Sequence, residues 1–590
     1  GEDPPGAATL CEVDPRPVLA CGDPATLISQ VQGPGDASPL LGQTHTIEGL
    51  VVGDFQEADG DAFNTDLDGF YVQEEPAEFD ADPATSEGVF VFAPSAVDVN
   101  PGDVVRVTGT VTEFNGLTEL GSVSDVQVCS TGNELPAPTD VLSVDVADFE
   151  RYEGMLVQFP QDLYIAEYFN YDRFGEIKLC TERLFQPTAV YEPYSPEAMA
   201  LAAHNAASCI TLDDARSAEN PDPARHPNGA ELTLDNRFRG GDIVSGLVGV
   251  MDYRFDLYRI QPTAGAGYTE ANPRPAAPDD VGGSLQVAAF NVLNYFTTLD
   301  SRGANTPEEF ARQQAKIVAA ITAIDAEVVG VMEIENNVTA IANLVEALNA
   351  AAGAGTYAYI DTGIVGTDEI TVGVLYQPGA VTPVGSTAIL DDPAFTDPMN
   401  TGEQKSRPAV AQSFSENAMG DVFTVVVNHF KSKGSDCGGP PDDDPVQGNC
   451  NLTRTLAAQA LVDWLATDPT GAGDPDFLVI GDLNSYDKED PIDAMRAGPD
   501  DALGTGDDYI DLLLHFGGEY AYTYVFDGQL GYLDYAMANQ SLMPQVMGAT
   551  AWHINTDEPD ILDYDMTFKQ DAQDALYEPN AYRSSDHDPV

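Results

Sequence analysis

The sequence predicts a multidomain chain: a β-rich N-terminal part followed, from about residue 284, by a layered α/β domain. Three observations predict it. The 590 residues exceed what one core organises at roughly 100–200 residues per domain. Before residue 270 the apolar runs are short and separated by turn residues, as in HTIEGLVVGDF, GFYVQEE and GVFVFAP. After 284, apolar runs such as AEVVGVMEIEN alternate with helical spacing such as TPEEFARQQAKIVAAITAI, the texture of a covered sheet between helices.

Composition narrows the class. The 97 acidic and 25 basic residues give a formal net charge of −72, spread along the chain. Disorder needs low hydrophobicity as well as charge, and 43% of the residues are hydrophobic. A lysine-poor, acidic surface suits concentrated salt, where self-repulsion is screened, and reads as a halophilic or marine source. No run of about 18 apolar residues occurs, so no membrane span is expected. The chain opens at Gly1 without a charged and apolar leader, as if any signal peptide had been removed. None of the seven cysteines forms C-x-x-C, against a zinc ribbon or redox motif. Cys437 and Cys450 bracket a polar loop whose closure is worth roughly 3 kcal/mol. The expected pairs are Cys437–Cys450, Cys180–Cys209 and Cys21–Cys129, with Cys11 left over, and they imply an oxidising, extracellular location.

The elements follow in order. Residues 1–40 are rich in Pro, Gly and Asp and read as a linker segment. Residues 41–132 hold five strand-like runs, ending in DVVRVTGTVTEF and VSDVQVC, and resemble the oligonucleotide/oligosaccharide-binding (OB) barrel. Arg106 is the only basic residue in that span, which favours a scaffold over nucleic-acid contact. Residues 133–270 read as a second β-rich domain with a loop-like stretch at 181–238, and 271–283 as a linker. The acidic loop at 59–69 lacks EF-hand spacing and reads as a turn, as does the DDD at 442–444.

Within 284–590, each apolar strand ends in a polar residue that a core does not need: Asn291, Glu333, His429, Asp482 with Asn484, and Asp534. Asp586 and His587 lie in the terminal SSDHDPV. Such residues at strand ends suggest one polar site at a sheet edge. Carboxylate and amide oxygens select Mg²⁺, Mn²⁺ or Ca²⁺ over zinc, and two histidines can exchange protons near neutral pH. Together they are a kit for phosphate-ester hydrolysis. No G-x-S-x-G elbow and no P-loop lysine occurs, so serine hydrolysis and nucleotide cradling lack support.

FNVLN, VMEIEN, VVNHFKSK, VIGDLNSY, GYLDYAMA and SSDHDPV occur in that order and resemble the endonuclease/exonuclease/phosphatase superfamily, the fold of pancreatic-type deoxyribonuclease. With the upstream barrel, the nearest resemblance is to secreted bacterial extracellular endonucleases of the ExeM/NucH type. The resemblance implies a four-layered α/β sandwich over 284–590 and a divalent-metal-dependent enzyme that hydrolyses DNA, or RNA, with low sequence specificity. It implies Glu333, Asn291 and Asp586 at the metal, and His429 and His587 as the catalytic pair. Asp482 and Asn484 would hold phosphate, metal and a histidine, and Asp534 would be a catalytic carboxylate. Asp368 would support His429, with Glu369 an equal candidate. The family usually continues for one more strand after this motif. Lys431, Lys433, Arg407, Arg454 and Arg583, with Lys405, are expected phosphate contacts because lysine is so scarce elsewhere. The alternative is a phosphomonoesterase, nucleotidase or lipid phosphodiesterase using the same metal site.

Overall fold

The computed structural model describes residues 20–56, 66–80 and 82–590. Cys11 and most of the acidic 59–69 loop lie outside the described residues. Two compact units form. The first holds residues 20–139 with Phe149–Val157 and Gly249–Leu257; the second holds Asp140–Asp148, Gln158–Val248 and Tyr258–Val590.

In the first unit, strands Thr44–Phe55, Gly69–Gln73, Gly88–Phe92, Val104–Phe114 and Leu117–Ser130 close on themselves, in the order first, second, third, fifth, fourth. The fourth and fifth form a tight hairpin, with Phe114 opposite Leu117. Its two turn residues, Asn115 and Gly116, both have positive φ (50° and 93°), the twist a two-residue hairpin needs. Ile47, Val51, Phe70, Val89, Val107 and Leu120 fill the interior. Ile28 and Val31, from the short helix Ile28–Gln32, pack into the same core. The described part of the expected linker is therefore folded, and Cys21 is bridged to Cys129. Arg106 is spent on Glu48 at 2.6 Å, which leaves the ring without a free basic residue of its own.

In the second unit, strands Leu163–Glu167, Ile177–Cys180 and Cys209–Leu212 run side by side, and Cys180–Cys209 bridges two directly opposed positions. The stretch 181–238 is not all loop. It contains the helix Pro196–Ala206, whose N-cap Ser195 accepts from the Ala198 amide at 3.1 Å. Ser-Pro followed by an alanine-rich run is a helix start, and the surrounding polar residues hid it. Leu184–Phe185 pairs in parallel with Gln529–Leu530, so 158–248 belongs to the same compact unit as the C-terminal part. The expected linker 271–283 is pinned as well: Arg274 binds Glu558 at 2.6 Å, and the Pro275 carbonyl accepts from Tyr582 at 2.8 Å.

His226 is fully buried here, with its ring edge-on to Tyr268. Its Nδ1 accepts from the Asn228 amide at 3.1 Å and Nε2 has no partner. Burial lowers it from 6.5 to about 4. The unfolded chain then binds a proton that the fold refuses, so stability falls as pH drops from about 6.5 to about 4 and is unaffected above that window. His226→Phe is expected to flatten the pH dependence of stability across this interval, removing on the order of 3 kcal/mol of it. Calorimetry of both proteins at neutral pH and near pH 4 measures it.

The C-terminal part is built on two main sheets. One is ordered Val287–Tyr295, Val328–Glu335, Ile370–Tyr376, Ala358–Tyr359. The other is ordered Val381–Leu390, Arg407–Glu416, Val422–His429, Phe477–Asp482, Asp534–Asn539, Tyr509–Asp511. Alternation assigns the faces. Phe290, Val329 and Val331 pack against Ile317 and Ile321 of helix Pro307–Ile324 and Leu344 of helix Ala340–Ala352. Ala289, Met332, Val425, Val427, Ile480 and Ala538 meet between the sheets. Val426, Val479 and Met537 face Leu461 and Ile492 on helices Asn451–Leu465 and Asp490–Ala497. The layers run helix, sheet, sheet, helix. Gly330 allows the close approach: a Cβ there would lie 2.7 Å from the Ile480 side chain. Thr306 caps helix Pro307–Ile324 in a reciprocal box with Glu309.

Candidate active site

Strand register assembles the site. Arg407 is opposite His429, His429 opposite Asp482, and Asp482 opposite Asp534, so four adjacent strands present one row at the same end of the sheet. The facing sheet contributes Asn291 and Glu333. Glu333 has φ +60°, in the left-handed region, where the strand pairing slips between Val331 and Ile334. That irregularity aims its carboxylate back at the row. Asn291 Nδ2 donates to Glu333 at 3.3 Å and to Asp482 Oδ2 at 3.4 Å, linking the two sheets. Asp482 Oδ1 accepts the Asn484 amide at 2.9 Å, and Asn484 Nδ2 donates to the Phe430 carbonyl at 3.2 Å.

His587 completes the site. Its Nδ1 meets Asp534 Oδ2 at 2.8 Å, and its Nε2 lies 4.0 Å from Asp482 Oδ2. His429 Nε2 approaches the same Asp482 oxygen at 3.5 Å and Glu333 at 4.0 Å. The two imidazoles thus bracket one carboxylate. Thr523 Oγ1 donates to Asp534 Oδ2 at 2.7 Å, and the Tyr524 ring lies 4.6 Å from that of His587. Neither residue was singled out in the sequence, since both sit in the turn-rich run before GYLDYA.

The two histidines are electrically unlike. Burial, then the nearby Arg407, His587, Arg302 and Lys431, hold His429 well below the usual range, so it is neutral. Burial alone would lower His587 too, but Asp534, Asp586 and Asp482 outweigh it and hold the ring well above its ordinary value. Burial pushes Asp482 up to about 7, helped by Asp534 and Glu333 and opposed by His587. Glu333 is raised by burial and then by Asp586. Crowded buried carboxylates of this kind are an uncompensated acid cluster. One ligand atom each from Asp482, Asp534 and His587 lies within 4.8 Å of the others, and Asp534 Oδ1 is buried without a hydrogen-bond partner among the described residues. The donor set is mainly oxygen and fits a hard divalent cation.

Several expected contacts lie elsewhere. Asp368 does not support His429. Its carboxylate takes Arg407 at 3.1 Å and Arg302 at 3.5 Å, while His429 Nδ1 has no hydrogen-bond partner among the described residues. Glu369 is exposed. Lys433 Nζ binds Glu489 at 2.5 and 2.6 Å, and Glu489 is fully buried. Arg454 is also fully buried, donating to Ser485 Oγ at 3.0 Å and the Asn449 carbonyl at 2.6 Å. Arg583 donates to the Asn555 carbonyl at 3.1 Å and sits beside Asp560 and Asp586. All three are committed inward because a folded chain this acidic has many carboxylates and carbonyls to satisfy. Lys431 is half-buried, and no ion pair to it occurs among the described residues. Among the described residues, Lys405 forms an ion pair only with the exposed Glu403. Arg302, unread in the sequence because it lies in a loop without periodicity, joins Arg407 and Lys431 as the basic groups acting on His429, and Lys405 acts on Lys431. The DDD at 442–444 closes its loop: Asp442 takes the Thr453 amide at 2.8 Å and Asp443 that of Cys437 at 3.0 Å. The Cys437 and Cys450 sulfurs beside Asp443 are bonded to each other, and neither is free for metal.

A four-layered α/β sandwich with acidic ligands and paired histidines at one sheet edge is the architecture of a phosphoester hydrolase. The model of the endonuclease/exonuclease/phosphatase family matches residues 288–587, and the chain belongs to that family, whose members hydrolyse phosphodiester or phosphate bonds. Family enzymes depend on divalent metal. Among solved structures, an endonuclease/exonuclease/phosphatase from Bacteroides vulgatus is 16% identical, covering 52% of this chain and 96% of its own, with a TM-score of 0.32. A mannosyl-6-phosphatase from Bacteroides thetaiotaomicron is also 16% identical, covering 44% and 86%, at 0.31. D. rerio TDP2 complexed with single-strand DNA product is 13% identical, covering 51% and 95%, at 0.31. A search of curated proteins finds no match. Among the described residues no helix is long and apolar enough to cross a membrane.

Proposed function

We propose that this chain is a secreted, divalent-metal-dependent endonuclease that hydrolyses DNA phosphodiester bonds with low sequence specificity, of the ExeM/NucH type. The observation that carries the reading is the convergence of Asn291, Glu333, His429, Asp482, Asp534 and His587 from separate strands and the terminal loop. Glu333, Asn291 and Asp586, with Asp482 shared, are the residues to hold the ion. A bound divalent cation, Mg²⁺ or else Mn²⁺ or Ca²⁺, supplies charge neutralisation to the phosphate oxygens. Asp534 holds His587 through Nδ1 and turns Nε2 toward the reacting atoms. A bound cation would offset the carboxylates that keep this ring protonated, and would let it take the proton of the attacking water. His429 assists the leaving oxygen. Asn484 and Lys431 orient the phosphate.

Three disulfides, Cys21–Cys129, Cys180–Cys209 and Cys437–Cys450, support an extracellular location. The closed sheet of the first unit has the strand order expected of an OB-like barrel, and the burial of Arg106 favours a scaffold role for it. A net charge of −72 repels DNA in dilute buffer, so the reading requires salt and a local basic lip.

Supercoiled plasmid nicking with Mg²⁺, Mn²⁺, Ca²⁺ or EDTA tests this. Nicking that EDTA abolishes and that rises from dilute buffer toward about 1 M salt is expected. Phosphate release from monoesters without any nicking would transfer the site to the phosphatase alternative. Lys431→Glu is expected to raise KM for DNA severalfold with little change in kcat, since phosphate contacts are shared between ground and transition states. Steady-state kinetics on the same plasmid read both constants.

A further inference from the structure

His587 lies three residues from Val590, yet its Nδ1 must meet Asp534 within hydrogen-bond range. Val590 exchanges hydrogen bonds with Ala289 (3.0 and 2.8 Å), which holds the segment beyond the histidine. The loop carrying the histidine is held by a second segment, 553–558, that takes no part in the chemistry above.

The two segments grip each other reciprocally. Asp588 is buried, and its Oδ1 accepts the amides of Ile554, Asn555 and Thr556 at 3.0, 2.8 and 3.1 Å. Its Oδ2 faces His553 Nδ1 at 2.9 Å. Asn555 is fully buried and answers from the other side. Its Oδ1 accepts the amides of Ser584 and Ser585 at 2.8 and 3.2 Å, and its Nδ2 donates to the His587 carbonyl at 2.6 Å. The Asp588 amide donates to the Thr523 carbonyl at 2.9 Å, and the Thr523 hydroxyl binds the same Asp534 oxygen that holds His587.

Segment 553–558 is in turn anchored by the β-rich stretch 158–248. Asp557 and Glu558 are buried carboxylates. Arg183 binds Asp557 at 2.6 Å, and Arg239 binds Glu558 at 2.7 Å while donating to the His553 carbonyl at 2.7 Å. The Gly240 amide donates to the Asp557 carbonyl at 2.8 Å, and Tyr168 donates to the Thr556 carbonyl. Charge-assisted bonds in a buried setting fix geometry more firmly than apolar contact does.

We propose that Asn555 and Asp588 are positioning residues for His587, and that the β-rich stretch 158–248 is the brace that holds them, through Arg183 and Arg239. The proposal rests on the hydrolase reading of the His587 site. It gives this stretch a role in catalysis without substrate contact.

The test uses the full chain with Mg²⁺ and plasmid DNA, together with deuterium exchange of the peptide covering 584–587. In Asn555→Ala, kcat is expected to fall by about 10²-fold, the cost of a misplacement near 1 Å, with KM for DNA unchanged and exchange of 584–587 accelerated. Asp588→Ala is expected to behave alike. Asp588→Asn, which keeps an acceptor for the three amides, is expected to recover most of the loss. Arg183→Gln, remote from the phosphate, is expected to lower kcat and speed the same exchange. A folded Asn555→Ala with wild-type kcat, or with unchanged exchange, overturns the proposal. If Asn555→Ala does not fold, Arg183→Gln decides: wild-type exchange and kcat in that variant overturn the brace. Should the wild type cleave no DNA, the endonuclease reading fails on its own, and the exchange arm still decides the clamp.

Discussion

Replacing His587 with alanine is expected to lower kcat by about 10³- to 10⁴-fold while KM for DNA changes little. The ring is the only group in the site with one nitrogen locked on a carboxylate, Asp534 at 2.8 Å, and the other turned into the acidic cluster. It contacts the reaction through proton movement, which matters in the transition state far more than in substrate binding, so the loss belongs in kcat. Asp534→Asn removes the group that sets the tautomer and is expected to cost nearly as much. Because the two act as one unit, the double variant should be scarcely slower than His587→Ala alone. Rapid-quench or steady-state nicking assays at saturating Mg²⁺ measure all three. Wild-type turnover in His587→Ala removes this histidine from the mechanism, and additive losses in the double variant separate Asp534 from it.

Lys433→Ala is expected to destabilise the fold by about 3–5 kcal/mol and to leave KM for DNA unchanged. Lys433 is tied by two short contacts to Glu489, which has no exposure, and its ring neighbour Tyr486 lies 4.5 Å away. Burial outweighs the attraction of Glu489 and pushes Lys433 down to about 8, the signature of an expensive buried cation. The pair as a whole therefore adds little relative to apolar residues. Removing one member alone leaves a carboxylate buried with only Thr188 and the Tyr486 amide as partners. Denaturant unfolding gives the stability, and the nicking assay gives KM. The comparison with Lys431→Glu is the informative one. Two lysines two residues apart in the same FKSK run should show opposite phenotypes, one in binding and one in stability. A raised KM in Lys433→Ala, with stability intact, would return that lysine to the DNA surface.

Much of this protein could be read from its residues alone. Strand alternation separates the face toward the helices from the face between the sheets, so a polar residue ending an apolar run stands out against a strong pattern. That is why Asn291, Glu333, His429, Asp482 and Asp534 were legible, and why the α/β layering from residue 284 was too. The polar loop between Cys437 and Cys450 marked that disulfide, whereas Cys180–Cys209 and Cys21–Cys129 had no local signal and are set by strand pairing and packing. Other features had no local signal. A basic residue beside a motif looks the same in sequence whether it faces phosphate or a buried carboxylate, so Lys433, Arg454 and Arg583 were read outward when the fold turns them inward. Asp368 sits at a plausible strand end, yet only the register of Arg407 against His429 shows which neighbour claims it. Asn555, Asp588 and the arginines at 183 and 239 lie in turn-rich or aperiodic stretches. Their significance arises from pairings 29 to 35 residues apart for Asn555 and Asp588 and more than 300 apart for the arginines, and those are set by the packing of segments onto each other.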